Sequence, residues 1–93
     1  MTEKQLEQIL VRDVKAMGGL AVKLVSPGFD GMPDRLVLLP HRKLAFVELK
    51  APGKQLRPLQ EKRKRQLEEL GFLVFCIDCI EQIGGMLNEI QSS

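Results

Sequence analysis

The chain has no tryptophan and no tyrosine, a single histidine at position 41 and only two cysteines. Each scarcity removes a class of chemistry. A tyrosine nucleophile of the topoisomerase or recombinase kind is impossible. Four phenylalanines supply few of the stacking platforms on which single-strand binders rely. One histidine excludes a histidine-cluster metal centre and argues against a Ser-His-Asp arrangement. Cys76 and Cys79 cannot build a disulfide framework, so stability has to come from packing, and at this size a partner chain would help; a homodimer is the expectation. The longest apolar run, Phe72 to Ile77, is far short of the roughly 18 residues of a membrane span. Met1-Thr2-Glu3-Lys4 opens no signal peptide, so a cytoplasmic location without membrane contact is expected.

What remains is ordinary globular material. Of 93 residues, 44% are hydrophobic and 28% charged, values that suit one folded domain spanning 1–93 rather than a disordered or fibrous chain. The charge is unevenly spread. Between Arg42 and Arg65 nine basic residues (Arg42, Lys43, Lys50, Lys54, Arg57, Lys62, Arg63, Lys64 and Arg65) face two acids, Glu48 and Glu61, a local charge of +7 in a chain whose net charge is +2. Such a block is the footprint expected for a phosphate backbone, or else a solvated helix face.

Thr2-Glu3-Lys4-Gln5 fits a capping box, and Leu6, Ile9, Leu10, Val14 and Met17 follow at helical spacing, predicting a helix over 3–17 stopped by Gly18-Gly19. Leu20 to Val25 suits a strand, and Ser26 to Pro33 a loop that delivers Asp34 to the next element. Leu36–Leu39 and Leu44–Leu49 are nearly continuous apolar runs around Pro40-His41-Arg42-Lys43, an antiparallel hairpin with both faces buried. Pro58 starts a helix that runs to about Leu70, with Gly71 as its stop. Phe72 to Asp78 reads as a buried strand, and Ile80, Ile83, Leu87 and Ile90 mark a last helix that Gly84-Gly85 weakens. The order α-β-β-β-α-β-α implies an α/β fold with a central mixed sheet flanked by helices on both faces.

Glu48 and Lys50 interrupt an otherwise apolar strand end and share one face, with Cβ atoms about 6.5 Å apart. If the hairpin closes with Leu39 opposite Lys43, paired residue numbers sum to 82 and Asp34 lies opposite Glu48. Two facing carboxylates repel and call for a cation, and an all-oxygen pair suits Mg²⁺ or Mn²⁺. A loop shorter by one residue would instead set Arg35 opposite Glu48. The structural alternative is that Asp34 pairs with Arg35 or Lys50, while Glu48 and Lys50 merely neutralise each other.

Pro33-Asp34, thirteen intervening residues, then Glu48-Leu49-Lys50 resembles the PD-(D/E)XK signature of restriction-endonuclease-like nucleases, whose core also has this element order. Gly31-Met32-Pro33-Asp34-Arg35, Val47-Glu48-Leu49-Lys50, Leu59-Gln60 in a helix and Glu7 in the first helix together resemble the virus-type replication-repair nuclease domain (VRR-Nuc). The likeness runs from Glu7 to about Val74. It implies that Asp34, Glu48 and the Leu49 backbone carbonyl hold Mg²⁺ or Mn²⁺, with Glu7 completing the shell directly or through water. It further implies that Lys50 orients the attacking water or stabilises transition-state charge, and that Gln60 meets phosphate or orients the lysine.

On that resemblance the substrate is DNA. His41, Arg42, Lys43, Lys54, Arg57, Lys62, Arg63, Lys64 and Arg65 are the candidate backbone contacts, and no base-reading element is present. Stand-alone viral or bacterial members resemble dimeric Holliday junction resolvases, whereas the domain embedded in the Fanconi-associated nuclease acts on flaps. The expectation is therefore a metal-dependent endodeoxyribonuclease acting on branched DNA in repair or recombination. The alternatives are a flap or nicking nuclease of the same fold, and a non-catalytic DNA-binding subunit. Cys76 and Cys79, set among Phe75, Ile77 and Ile80, read as packed residues rather than zinc ligands. Phe29 either wedges into a junction or closes the core.

Overall fold

A computed structural model describes all 93 residues, Met1–Ser93. Thr2 caps helix α1 (Glu3–Ala16) with the reciprocal bonds that the sequence predicts: the Gln5 amide donates to Thr2 Oγ1 at 3.1 Å and the Thr2 amide donates to Gln5 Oε1 at 2.8 Å. Leu6, Leu10 and Val14, four residues apart, bury the stripe that faces the sheet. Gly19 lets the chain turn tightly into β1 (Leu20–Lys23), because a Cβ there would stand 2.2 Å from the Leu38 carbonyl oxygen.

β1, β2 (Arg35–Leu39), β3 (Lys43–Leu49) and β4 (Leu73–Ile77) form one sheet in that spatial order. The first two pairings are antiparallel and β3–β4 is parallel, connected through α2 (Pro58–Glu69). α3 (Glu81–Ser92) follows β4. Alternation along the strands sends Val37, Leu39, Ala45, Val47, Leu49 and Ile77 to one face, where they meet Leu6, Leu10 and Val14 of α1 and Ile83, Met86, Leu87 and Ile90 of α3 in a single core. α2 lies on the other face, packed over β4. The mixed sheet flanked by helices is thus the α/β architecture expected.

Two expectations change, and the last helix forms as expected despite its two glycines. The hairpin strands are buried on one face only: Leu36, Leu38, Leu44 and Phe46 remain half-exposed, because α2 covers the β4 end of its face and leaves β1 and β2 open. β1 stops at Lys23 rather than Val25, since its partner β2 begins at Arg35 and only one further bond, from the Leu24 amide to the Asp34 carbonyl, extends the pairing; Val25 is exposed. Gly84 and Gly85 do not break α3. Burial of Ile83, Met86, Leu87 and Ile90 outweighs their low propensity, and both glycines face open space.

No helix is long and apolar enough to cross a membrane.

Candidate metal centre

The β2–β3 register pairs Arg35 with Val47 and Leu39 with Lys43, so one step further Asp34 falls opposite Glu48. The two carboxylates lock onto each other's strands. The Asp34 amide donates to Glu48 Oε1 at 3.2 Å, and the Leu49 amide donates to Asp34 Oδ1 at 3.2 Å. The Asp34 carbonyl accepts from the Leu24 amide at 2.9 Å, and the Lys50 amide donates to the Ile77 carbonyl at 2.9 Å. Both motif residues therefore sit on backbone held from each side.

Glu48 is 7% exposed and is the one charged residue in the buried set. A buried carboxylate needs compensation, and its second oxygen accepts from Gln60 Nε2 at 3.2 Å and forms an ion pair with Lys50 Nζ at 3.3 Å. Gln60 reaches it from the first turn of α2, where Pro58 starts the helix and the Arg57 amide donates to Gln60 Oε1 at 2.9 Å. The side-chain amide is thus oriented by one backbone bond and spends its donor end on Glu48, not on the lysine.

Asp34 has no cation beside it. Burial first, and the Glu48 charge second, push its carboxyl up from 3.8 to about 6; the Leu49 amide pulls the other way and Glu3 adds to the rise. Two carboxylates held face to face, one of them pushed towards its protonated form, form a hard-oxygen donor set that a small divalent cation would relieve. Asp34 and Glu48 therefore fit Mg²⁺ or Mn²⁺, with the remaining positions left to water and phosphate.

A comparison with protein-family models finds no match. The chain is 47% identical over 76 residues to "Putative nuclease p44" of Acyrthosiphon pisum secondary endosymbiont phage 1, a match covering 82% of each chain. A solved structure described as a VRR_NUC domain superposes with a TM-score of 0.87 at 28% identity, covering 95% of this chain and 97% of that one. The chain belongs to the VRR-Nuc family.

In this VRR-Nuc domain the other candidate residues divide into those near the carboxylates and those elsewhere. Glu7 does not join Asp34 and Glu48, and no group of three or more Asp, Glu, His or Cys side chains is assembled that could hold a metal. Its carboxylate pairs with the guanidinium of Arg35, which also donates to the Ala21 carbonyl at 3.2 Å. Arg35 follows Asp34 in a strand, so its side chain points to the opposite face, towards α1, and takes Glu7 with it. Of the two roles expected for Glu7, direct ligation is not the arrangement found. Glu3, one turn earlier on α1, is the helix acid whose charge reaches Asp34. Its spacing of four from Glu7 was the available signal.

The basic block divides as well. His41 and Arg42 occupy the hairpin turn and Lys43 opens β3, roughly 20 Å from Asp34 at ~3.3 Å per residue along the strand, so the fold does not bring them to the carboxylates. Lys43 bonds the Ser93 carbonyl at the chain end. Lys54, Arg57, Lys62 and Arg65 are exposed on α2 and the segment before it. Lys64 pairs with Glu68 at 3.0 Å, and Arg63 is engaged with the loop before Asp34. Phe29 does not close the core: it is 49% exposed and its ring carries Arg63 on one face.

Cys76 lies beside Glu48 across the parallel pair, and burial, then the Glu48 charge, push its thiol up, favouring the protonated form. Cys79 lies past the end of β4, in the turn before α3. Both are free thiols, and no zinc site forms around them.

Proposed function

We propose that this VRR-Nuc domain is a metal-dependent, structure-selective endodeoxyribonuclease, and that its substrate is a four-way DNA junction cut by a homodimer. The observation that carries the reading is the Asp34–Glu48 pair with Lys50 on the same strand face. A binding module has no need of two opposed carboxylates whose proximity raises the charge cost of one.

A divalent ion held by Asp34 and Glu48, with the Leu49 carbonyl as the further ligand the family suggests, would polarise the scissile phosphate and lower the pKa of a bound water. This chain's own groups do the rest. Lys50 holds an ammonium beside Glu48, where it would stabilise charge building on the phosphate oxygens as water attacks phosphorus in line and the opposite P–O bond breaks, its sugar oxygen leaving as a hydroxyl once it takes up a proton. Gln60 fixes the rotamer of Glu48. Glu7, tied to Arg35, would act on the ion only through water. Lys54, Arg57, Lys62, Lys64 and Arg65 offer a path for the backbone beside the cut strand. They would set affinity rather than sequence preference.

Two symmetric cuts require two sites in fixed geometry, and a domain of this size would supply them by pairing. The open sheet face supports this reading. Leu20 and Val22 on the edge strand are 61% and 39% exposed, and Leu36 and Leu38 beside them are half-exposed.

The test incubates labelled junction, flap and linear duplex of matched sequence with the protein in Mg²⁺, Mn²⁺ or EDTA, alongside Glu48→Ala. Metal-dependent symmetric cuts in the junction, lost in Glu48→Ala with DNA binding retained, are expected. Preferred cutting of the flap, by a monomer in light scattering, would favour the flap nuclease. Tight binding with no cutting of any substrate would leave a DNA-binding subunit in which Glu48 and Lys50 are only an ion pair.

A further inference from the structure

The loop that delivers Asp34 runs across the first turns of α2 and is fastened there by Arg63. Its Nε donates to the Asp30 carbonyl at 2.8 Å, its Nη1 to Gln66 Oε1 at 3.0 Å, and its guanidinium carbon lies 3.8 Å from the centroid of the Phe29 ring. Gly31 comes next, at φ +89°. A Cβ there would meet Leu59 Cγ at 2.8 Å, the Leu59 carbonyl oxygen at 3.0 Å and Arg63 Cγ at 3.1 Å, so the loop backbone rests directly on the helix. Pro33 is then buried, and Asp34 enters the strand pairing.

Gln60, which donates to Glu48, lies three residues before Arg63 and therefore on the same side of α2. One helix face is thus attached to both carboxylates: to Glu48 directly through Gln60, and to Asp34 through a tether of four residues that begins at the Asp30 carbonyl. Leu67, one turn further on, anchors that face in the protein interior. The carboxylates are themselves on different strands, so their separation depends on what braces the loop as well as on the β2–β3 register.

We infer that Arg63 is a positioning residue for the metal centre, bracing the Asp30–Pro33 loop against α2 so that Asp34 meets Glu48 at ligand spacing. It is not one of the DNA contacts. This rests on the reading of the Asp34–Glu48 pair as a metal-dependent nuclease site. The guanidinium is already committed through its Nε, through one Nη1 donor and on one π face, so the Nε-side fork that would grip a phosphate in bidentate fashion is taken. Lys62 and Arg65, its neighbours on the helix, are exposed and carry no such commitments.

The experiment compares wild type, Arg63→Ala, Arg63→Lys and the double variant Lys62→Ala/Arg65→Ala. Mn²⁺ affinity is measured by calorimetry without DNA, and junction affinity is measured in EDTA across a salt series. For both Arg63 variants we expect Mn²⁺ affinity to fall about tenfold or more, as on removal of other groups that support metal ligands, with cleavage recovering at high Mn²⁺. Junction affinity in EDTA should stay within about twofold, because no phosphate contact is lost. The double variant should do the reverse, keeping Mn²⁺ affinity while its junction affinity falls with a shallower salt dependence. Should Arg63→Ala fail to fold, Phe29→Leu removes only the stacked partner of a half-exposed side chain, and a several-fold loss of Mn²⁺ affinity is expected. Wild-type Mn²⁺ affinity in the Arg63 variants, with or without a loss of junction affinity, would overturn the inference alone. No Mn²⁺ binding by the wild type would overturn the nuclease reading and this inference with it.

Discussion

Asp34 and Glu48 each accept a hydrogen bond from the other's strand, the Asp34 amide on Glu48 Oε1 and the Leu49 amide on Asp34 Oδ1, both at 3.2 Å. The bonds hold two like charges together, and Asp34 carries the cost, its carboxyl pushed up to about 6. A raised native pKa means that the folded chain binds this proton more tightly than the unfolded one. In EDTA, below 3.8 both states are protonated and nothing is lost. As pH rises from 3.8 through about 6 the folded state loses stability, and above that the loss is constant. Asp34→Asn should therefore raise Tm in EDTA at neutral pH and converge with wild type at about pH 4. Mn²⁺ should raise the wild-type Tm at neutral pH and leave the variant unmoved. Thermal melts over pH, with and without metal, check both.

Gln60→Leu removes the neutral donor on Glu48 Oε2 and leaves Lys50 alone there. The turnover number should fall by roughly 10- to 100-fold, as for other groups that orient metal ligands, with KM for the junction little changed. Steady-state kinetics at saturating metal separates this from a phosphate-contact role, which would raise KM.

Glu7→Ala strips the anionic partner from Arg35, whose side chain is 11% exposed. The guanidinium keeps the Ala21 carbonyl but is left as a mostly buried, uncompensated charge. A loss of about 1–3 kcal/mol in urea denaturation is expected, and it should appear in EDTA as fully as in metal.

Gly84 and Gly85 sit inside α3 with open space where a Cβ would go. Gly84→Ala and Gly85→Ala should each add about 0.5–1 kcal/mol, chiefly by restricting the unfolded chain. Denaturant midpoints at unchanged m-value check this.

Arg42 adopts φ 61° in the hairpin turn, next to His41 at φ 66°, where side-chain-bearing residues are strained. Arg42→Gly relieves that strain and should stabilise by about 1 kcal/mol, read as a raised Tm.

Local patterns were enough for much of this. The capping box of Thr2 and Gln5, the alternation that puts Glu48 and Lys50 on one face, and the hairpin closure that sets Asp34 opposite Glu48 all depend on residues within about fifteen positions of each other. Strand period and turn length determine such contacts wherever the helices settle. The contacts that act on the carboxylates from outside are different. Gln60 on Glu48, Arg63 on the Asp30 carbonyl, and Glu7 drawn to Arg35 on the far face each depend on where a helix crosses the sheet. The distance of His41, Arg42 and Lys43 from Asp34, by contrast, follows from the length of the hairpin strands. Charge and motif spacing identify the residues able to act. Which of them touch is set by the packing of α1 and α2 on opposite faces, a balance of burial summed over many side chains that no short window contains.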